Sequence, residues 1–194
     1  MKVMKISGLN KEYDKLQLKY GAKELTSIYN GGRTNNPDFC FVFMNPTGKN
    51  IASDPTWKGR RSPWIGTKNI WKLFYKIGLL DEEIYMSIMS KKPQEWNEEF
   101  ADLVYDDVEK HKYFITNLGK CTQVDARVLP NSVYSQYLDL LCKEIEIINP
   151  KTKVKEIHKV YCSSKKTNVR LVREDANHNL YNDYVDFQVT MVEE

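Results

Sequence analysis

A run of six apolar residues, Phe39-Cys40-Phe41-Val42-Phe43-Met44, stops abruptly at Asn45-Pro46-Thr47-Gly48. It is short, rich in aromatics and bounded by turn residues, with Asn35-Asn36-Pro37 before it. Such a run reads as a fully buried strand in a sheet covered on both faces. Tyr113-Phe114-Ile115-Thr116, halted at Asn117, reads as a second one. The segments around them have helical spacing. Asn10 to Tyr29 is the first. Thr67 is expected to cap a second helix, with Ile70, Trp71, Phe74 and Ile77 on one face and Gly78 at its end. Pro93 to His111 places Phe100, Leu103, Val104 and Val108 together. Pro130-Asn131-Ser132 opens the most regular helix, whose apolar face runs Val133, Tyr137, Leu138, Leu141, Ile145, Ile148 and ends before Pro150. Strands separated by helices imply βαβ units. The expected class is α/β, a three-layer α/β/α arrangement with a mostly parallel central sheet. Beyond Pro150, Asn168 to Arg173 and Tyr184 to Val192 read as a C-terminal β-hairpin, with Val185, Phe187, Val189 and Met191 alternating against polar neighbours.

A chain of 194 residues suits one domain spanning 1–194. Hydrophobic residues make up 41% and charged ones 28%, which argues against disorder over the whole length. No stretch approaches the ~18 apolar residues of a membrane span, and the first twenty or so residues lack the apolar core of a signal peptide. A cytoplasmic monomer with reduced cysteines is therefore expected. Cys40, Cys121, Cys142 and Cys162 show no C-x-x-C pair, and His111, His158 and His178 show no metal-ligand spacing, so neither a metal nor a cofactor is expected.

In parallel sheets ligands bind beyond the carboxyl ends of the strands, where Asn45 and Asn117 both fall. Pro46 pushes Asn45 toward an extended backbone, which would hold its amide over the strand end. The Asn117 amide offers a donor and an acceptor together, as the edge of a pyrimidine requires. Between the two strands lies a long polar loop carrying Trp57 and Trp64. Each tryptophan either stacks on a ligand ring or anchors the loop to the core. The same loop gathers Lys49, Lys58, Arg60 and Arg61 on a chain whose formal charge is only +3, so a local phosphate contact competes with a merely solvated loop.

Four segments, in order, resemble a known family. They are Phe39 to Pro46, Ser62-Pro63-Trp64-Ile65-Gly66-Thr67 with the helix after it, Tyr113-Phe114-Ile115-Thr116-Asn117-Leu118-Gly119-Lys120-Cys121, and Lys143 to Lys151. Together they are similar to the uracil-DNA glycosylase superfamily, especially its G-x-N-P mismatch-specific and single-strand-selective branches, over residues 39–151. The resemblance implies a base-flipping DNA glycosylase of base excision repair. It implies Asn45 as the residue that positions the attacking water and Trp64 as the aromatic stacked on the flipped base. Asn117 would read the uracil edge and the Met44 backbone would bond the base. Lys58, Arg60, Arg61 and Lys120 are the expected DNA contacts, and Asp54 is a possible carboxylate. Two departures stand out. Phe43 occupies the position of the motif's Gly. The C-terminus lacks the family's His-Pro-Ser loop, leaving His178 as the candidate for leaving-group support. These departures keep a second expectation open, a non-catalytic member that binds nucleic acid or a protein partner. An enzyme acting on free nucleosides is a third.

Overall fold

A computed structural model describes residues 5–125 and 129–149, and the backbone of the short strands beyond them. Helix α1 (Asn10–Tyr20) follows a 3-10 turn and ends earlier than expected. The chain past it runs extended beside residues 120–122, with Ala22 N–H donating to the Thr122 carbonyl and Ile28 N–H to that of Lys120. Buried Gln17 secures this stretch. Its Oε1 accepts from Thr122 N–H at 2.7 Å, and its Nε2 donates to the Ala22 and Leu25 carbonyls, each at 3.0 Å.

Gly31 and Gly32, residues that usually break regular structure, form part of strand β1 (Asn30–Gly32). Strands β2 (Phe39–Phe43) and β3 (Tyr113–Asn117) complete a sheet of order β1-β3-β2. β2 pairs with β3 in parallel, Phe39 opposite Tyr113 and Phe43 opposite Asn117, whereas β1 pairs with β3 antiparallel. The described sheet is thus small and mixed rather than mostly parallel. Central β3 is buried at all five positions. β2 lies at the edge of the described sheet, so only Val42 and Phe43 are buried and Phe39 is exposed, where a fully buried strand was expected.

Helix α2 (Asn69–Lys76) starts without a side-chain cap. The Thr67 hydroxyl donates instead to the Trp64 carbonyl at 2.8 Å, and Ile77 falls on the exposed side. Helix α3 (Glu82–Ser90) leads to a 3-10 turn at Pro93–Glu95. Helix α4 (Glu98–Lys110) then begins at Asn97, whose Oδ1 accepts from Phe100 N–H at 2.9 Å. The single helix expected over Pro93 to His111 is divided here because Asn97 caps a new start. Helix α5 (Asn131–Ile148) stands as its periodicity indicates.

Strand alternation sends Phe43, Tyr113 and Ile115 into one apolar cluster with α2, α3 and α4. Val42 faces a second cluster with α1 and α5. The described residues are therefore α/β, with five α-helices divided between the two faces of a three-stranded sheet. Strands β4 (Lys159–Tyr161), β5 (Arg170–Glu174) and β6 (Leu180–Tyr181) form a second, antiparallel sheet of order β4-β5-β6. The first arm expected for the C-terminal hairpin overlaps β5, but its partners are β4 and β6. The expected second arm, 184–192, lies outside the described residues, as do Cys162 and His178. Among the described residues no helix is long and apolar enough to cross a membrane.

Candidate functional site at the strand ends

The parallel pair β2–β3 continues in hydrogen bonds past its last residues. Leu118 N–H donates to the Phe43 carbonyl at 2.6 Å and Gly119 N–H to the Met44 carbonyl at 2.8 Å. Thr47 and Gln123 then form an isolated parallel bridge. Asn45 and Asn117 are consequently held at the same edge of the sheet, as expected. The Met44 carbonyl already accepts a backbone bond, so a base there would share it.

Asn117 is 2% exposed, and its Nδ2 has no hydrogen-bond partner among the described residues. An unpaired buried donor costs about 1–3 kcal/mol, and such groups call for an explanation. Asn45 is half-buried. Its Oδ1 accepts from the Tyr134 hydroxyl at 2.7 Å, while its Nδ2 makes only a 3.3 Å contact to the Pro46 carbonyl. Tyr134 was absent from the sequence expectations although it stands at helical spacing from Tyr137, Leu138 and Leu141 and packs in the same apolar cluster. Its spacing reads as core, and only the fold shows its hydroxyl reaching Asn45.

Trp64 sits at φ +67°. A bulky residue in the left-handed region costs about 1–3 kcal/mol and persists only where its surroundings impose it. Here Trp71 Nε1, Thr67 N and Thr67 Oγ1 all donate to the Trp64 carbonyl, at 3.1, 3.2 and 2.8 Å. The Trp64 ring meets Phe43 edge-to-face with centroids 4.9 Å apart, and its buried Nε1 has no partner among the described residues. Phe43 thus fills the space that a glycine would leave open. Trp57 anchors the loop, its Nε1 donating to the Arg60 carbonyl at 3.0 Å. The loop itself is organised by buried Asn50, whose Oδ1 accepts from Ala52 N–H and whose Nδ2 donates to the Ser62 carbonyl, at 3.0 and 2.9 Å.

The basic residues divide. Lys58 is exposed and Arg61 half-buried. Arg60 is engaged twice, by Asp102 at 2.7 Å and by the Tyr105 ring at 4.9 Å. Lys120 requires a correction, because it is fully buried instead of facing a phosphate. Its ammonium lies 2.8 Å from Glu144 Oε2 and 2.8 Å from the Asn117 carbonyl, and it also bonds Thr116. Burial pushes the Lys120 pKa down, and Glu144 opposes that shift. Asp54 is exposed and turned onto its own loop, accepting from Thr56 N–H and Oγ1. Those bonds hold its carboxyl below the usual range.

The described residues bring one group of potential metal ligands together, Asp81, Asp107 and His111, with ligand atoms within 4.8 Å of one another. Asp107-x-x-x-His111 is one helical turn, a spacing the histidines considered by themselves could not reveal. Asp81 already bonds Lys110 and, at 2.9 Å, His111 Nε2. Asp107 accepts from Asp81 N–H at 3.0 Å. The group therefore works as a polar tie between the start of α3 and the end of α4.

Compared with family models, curated proteins and solved structures, the chain has no match in any of the three.

Proposed function

We propose that the chain is a DNA glycosylase that hydrolyses the N-glycosidic bond of uracil, or of a related deaminated or damaged base, in a three-layer uracil-DNA glycosylase-like fold. The observation that carries this reading is the Asn117 amide, buried at the end of a central strand with a donor that nothing among the described residues satisfies. A base carbonyl would satisfy it. Two further features support the same site. Asn45 stands at the end of the adjacent parallel strand, and the strained, tightly held Trp64 belongs to the loop that follows.

The chemistry suits these groups. Cleavage builds positive charge on the sugar and negative charge on the leaving base. Fixed donors beside the base stabilise that change without reorganising. Asn45 does not titrate, so it orients water rather than deprotonating it, and the reaction should be slower than one driven by a carboxylate. The base has to be extruded from its stack first. With Lys120 buried, DNA contact falls to Lys49, Lys58 and the remaining loop cations.

The test is release of uracil from single-stranded and U·G oligonucleotides by wild type, Asn45→Ala and Asn117→Ala. Abasic product from wild type, reduced about 100-fold or more in both variants, supports the enzyme. The second reading, a non-catalytic binding module, is favoured by Phe43 packing onto Trp64. It predicts salt-dependent DNA binding, or capture of a protein partner, with no product.

A further inference from the structure

We propose that Tyr134 is the positioning residue of this site, holding the Asn45 amide in the single orientation that can direct a water. The inference rests on the glycosylase reading. Without Tyr134, the Asn45 amide could present either its oxygen or its NH₂ to the cleft, because its other bond among the described residues is the long contact with the neighbouring Pro46 carbonyl. Tyr134 removes that ambiguity. The phenol oxygen accepts from Leu129 N–H at 3.2 Å, and its own proton is directed to Asn45 Oδ1 at 2.7 Å. A donor on one side of the phenol leaves its hydrogen for the other, so the oxygen end of the amide is the end held against Tyr134. The second lone pair of Oδ1 then accepts a hydrogen of the attacking water and turns that water's lone pair toward the sugar.

The ring that carries this hydroxyl is itself fixed. Tyr134 is 3% exposed, and its backbone N–H bonds the Pro130 carbonyl in the first turn of α5. The ring lies against Gly119, where an added Cβ would stand 3.3 Å from Tyr134 Cε1. Gly119 also donates to the Met44 carbonyl, beside Asn45. The glycine therefore lets ring and strand end approach each other, and a helix on one face of the sheet sets a side chain at the strand ends.

Tyr134→Phe keeps the ring and deletes only the donor. Single-turnover uracil release should fall about 10-fold with KM within about twofold, since misplacing a reacting group affects the chemical step more than binding. In an Asn45→Ala background the same substitution should cost nothing further, because the two residues act as one unit. The Asn45 side-chain NH₂ resonances, assigned by their loss in Asn45→Ala, should shift in Tyr134→Phe whether or not DNA is present. An active wild type with an unchanged rate in Tyr134→Phe, or with losses that add fully, overturns the positioning role alone. A wild type that releases no uracil overturns the glycosylase reading, and the reaction role with it. The resonance shift then still reports whether the phenol holds the amide.

Discussion

The Lys120 ammonium stands 2.8 Å from the Glu144 carboxylate, and neither side chain reaches solvent. Lys120 follows β3 and Glu144 belongs to α5, so the pair ties the sheet to a helix. Removing two charges from water costs several kcal/mol each, and their attraction offsets this only when the remaining lone pairs are bonded. Here they are bonded. Thr116 donates to Glu144 Oε2 and Asn30 to Oε1, each at 2.7 Å, while Lys120 also reaches the Asn117 carbonyl.

Breaking that pair from one side leaves an uncompensated buried charge. Lys120→Met or Glu144→Leu should each destabilise the fold by about 3–5 kcal/mol, and the double variant should recover most of the loss. Urea unfolding midpoints of the three variants decide the matter. A double variant as unstable as the sum of the singles would mean that the network, rather than the charge balance, carries the stability.

Two buried asparagines should respond in opposite ways. The Asn50 amide is bonded at both ends, whereas Asn117 has an unpaired Nδ2. Asn50→Ala strands Ala52 N–H and the Ser62 carbonyl, at a cost of about 1–3 kcal/mol. Asn117→Ala removes a donor that is already unpaired and should cost less than about 1 kcal/mol on the same scale. For uracil release the order reverses, with Asn117→Ala the more damaging. Denaturation curves beside single-turnover rates read both. Equal stability losses would remove the argument that the Asn117 donor awaits a ligand.

Acid stability should carry the mark of Asp81. Hydrogen bonds from Lys110 and His111 pull its carboxyl down to about 2. A group whose pKa is lowered on folding contributes stability above its unfolded value, near 3.9, and loses it as pH falls toward the folded value. Buried Asp107 shifts upward, mainly because of desolvation, and so opposes part of this effect. Asp81→Asn should lower Tm by about 2 °C at pH 7, a small effect because the partners are solvent-screened. The difference from wild type should shrink between about pH 4 and pH 2. A gap that persists at pH 2 would assign the effect to something other than this carboxylate.

What could be read in advance depended on whether the signal was local. α5 declared itself through a repeating apolar face, and the strand ends at Asn45 and Asn117 through a sudden change from apolar to polar residues. β1 had no such signal, because Asn30-Gly31-Gly32 contains no apolar side chain and becomes a strand only by pairing with β3. The burial of Lys120 depends on Glu144, a full helix later in the chain. The clamp on Asn45 comes from Tyr134, a residue 89 positions away. Local composition reports which side chains can do chemistry, while the pairing of distant elements decides which of them are already engaged.

Gly31 shows why β1 has to be glycine-rich, and it leads to the last prediction. A Cβ added there would stand 2.0 Å from Tyr105 Cε1. The Tyr105 ring is fully buried, and its hydroxyl donates to the Pro63 carbonyl at 2.6 Å, one residue before Trp64. The ring therefore cannot yield without disturbing the loop that holds Trp64. Gly31→Ala should destabilise by about 1–3 kcal/mol, as overpacking does, and should shift the tryptophan emission of the folded protein. Adding Tyr105→Leu should restore most of the stability but not the emission, because the bond to Pro63 stays lost. If Gly31→Ala is as stable as wild type, the close approach of β1 to α4 is not a requirement of the fold. If the emission recovers in the double variant, Tyr105 is not what fixes the Trp64 loop.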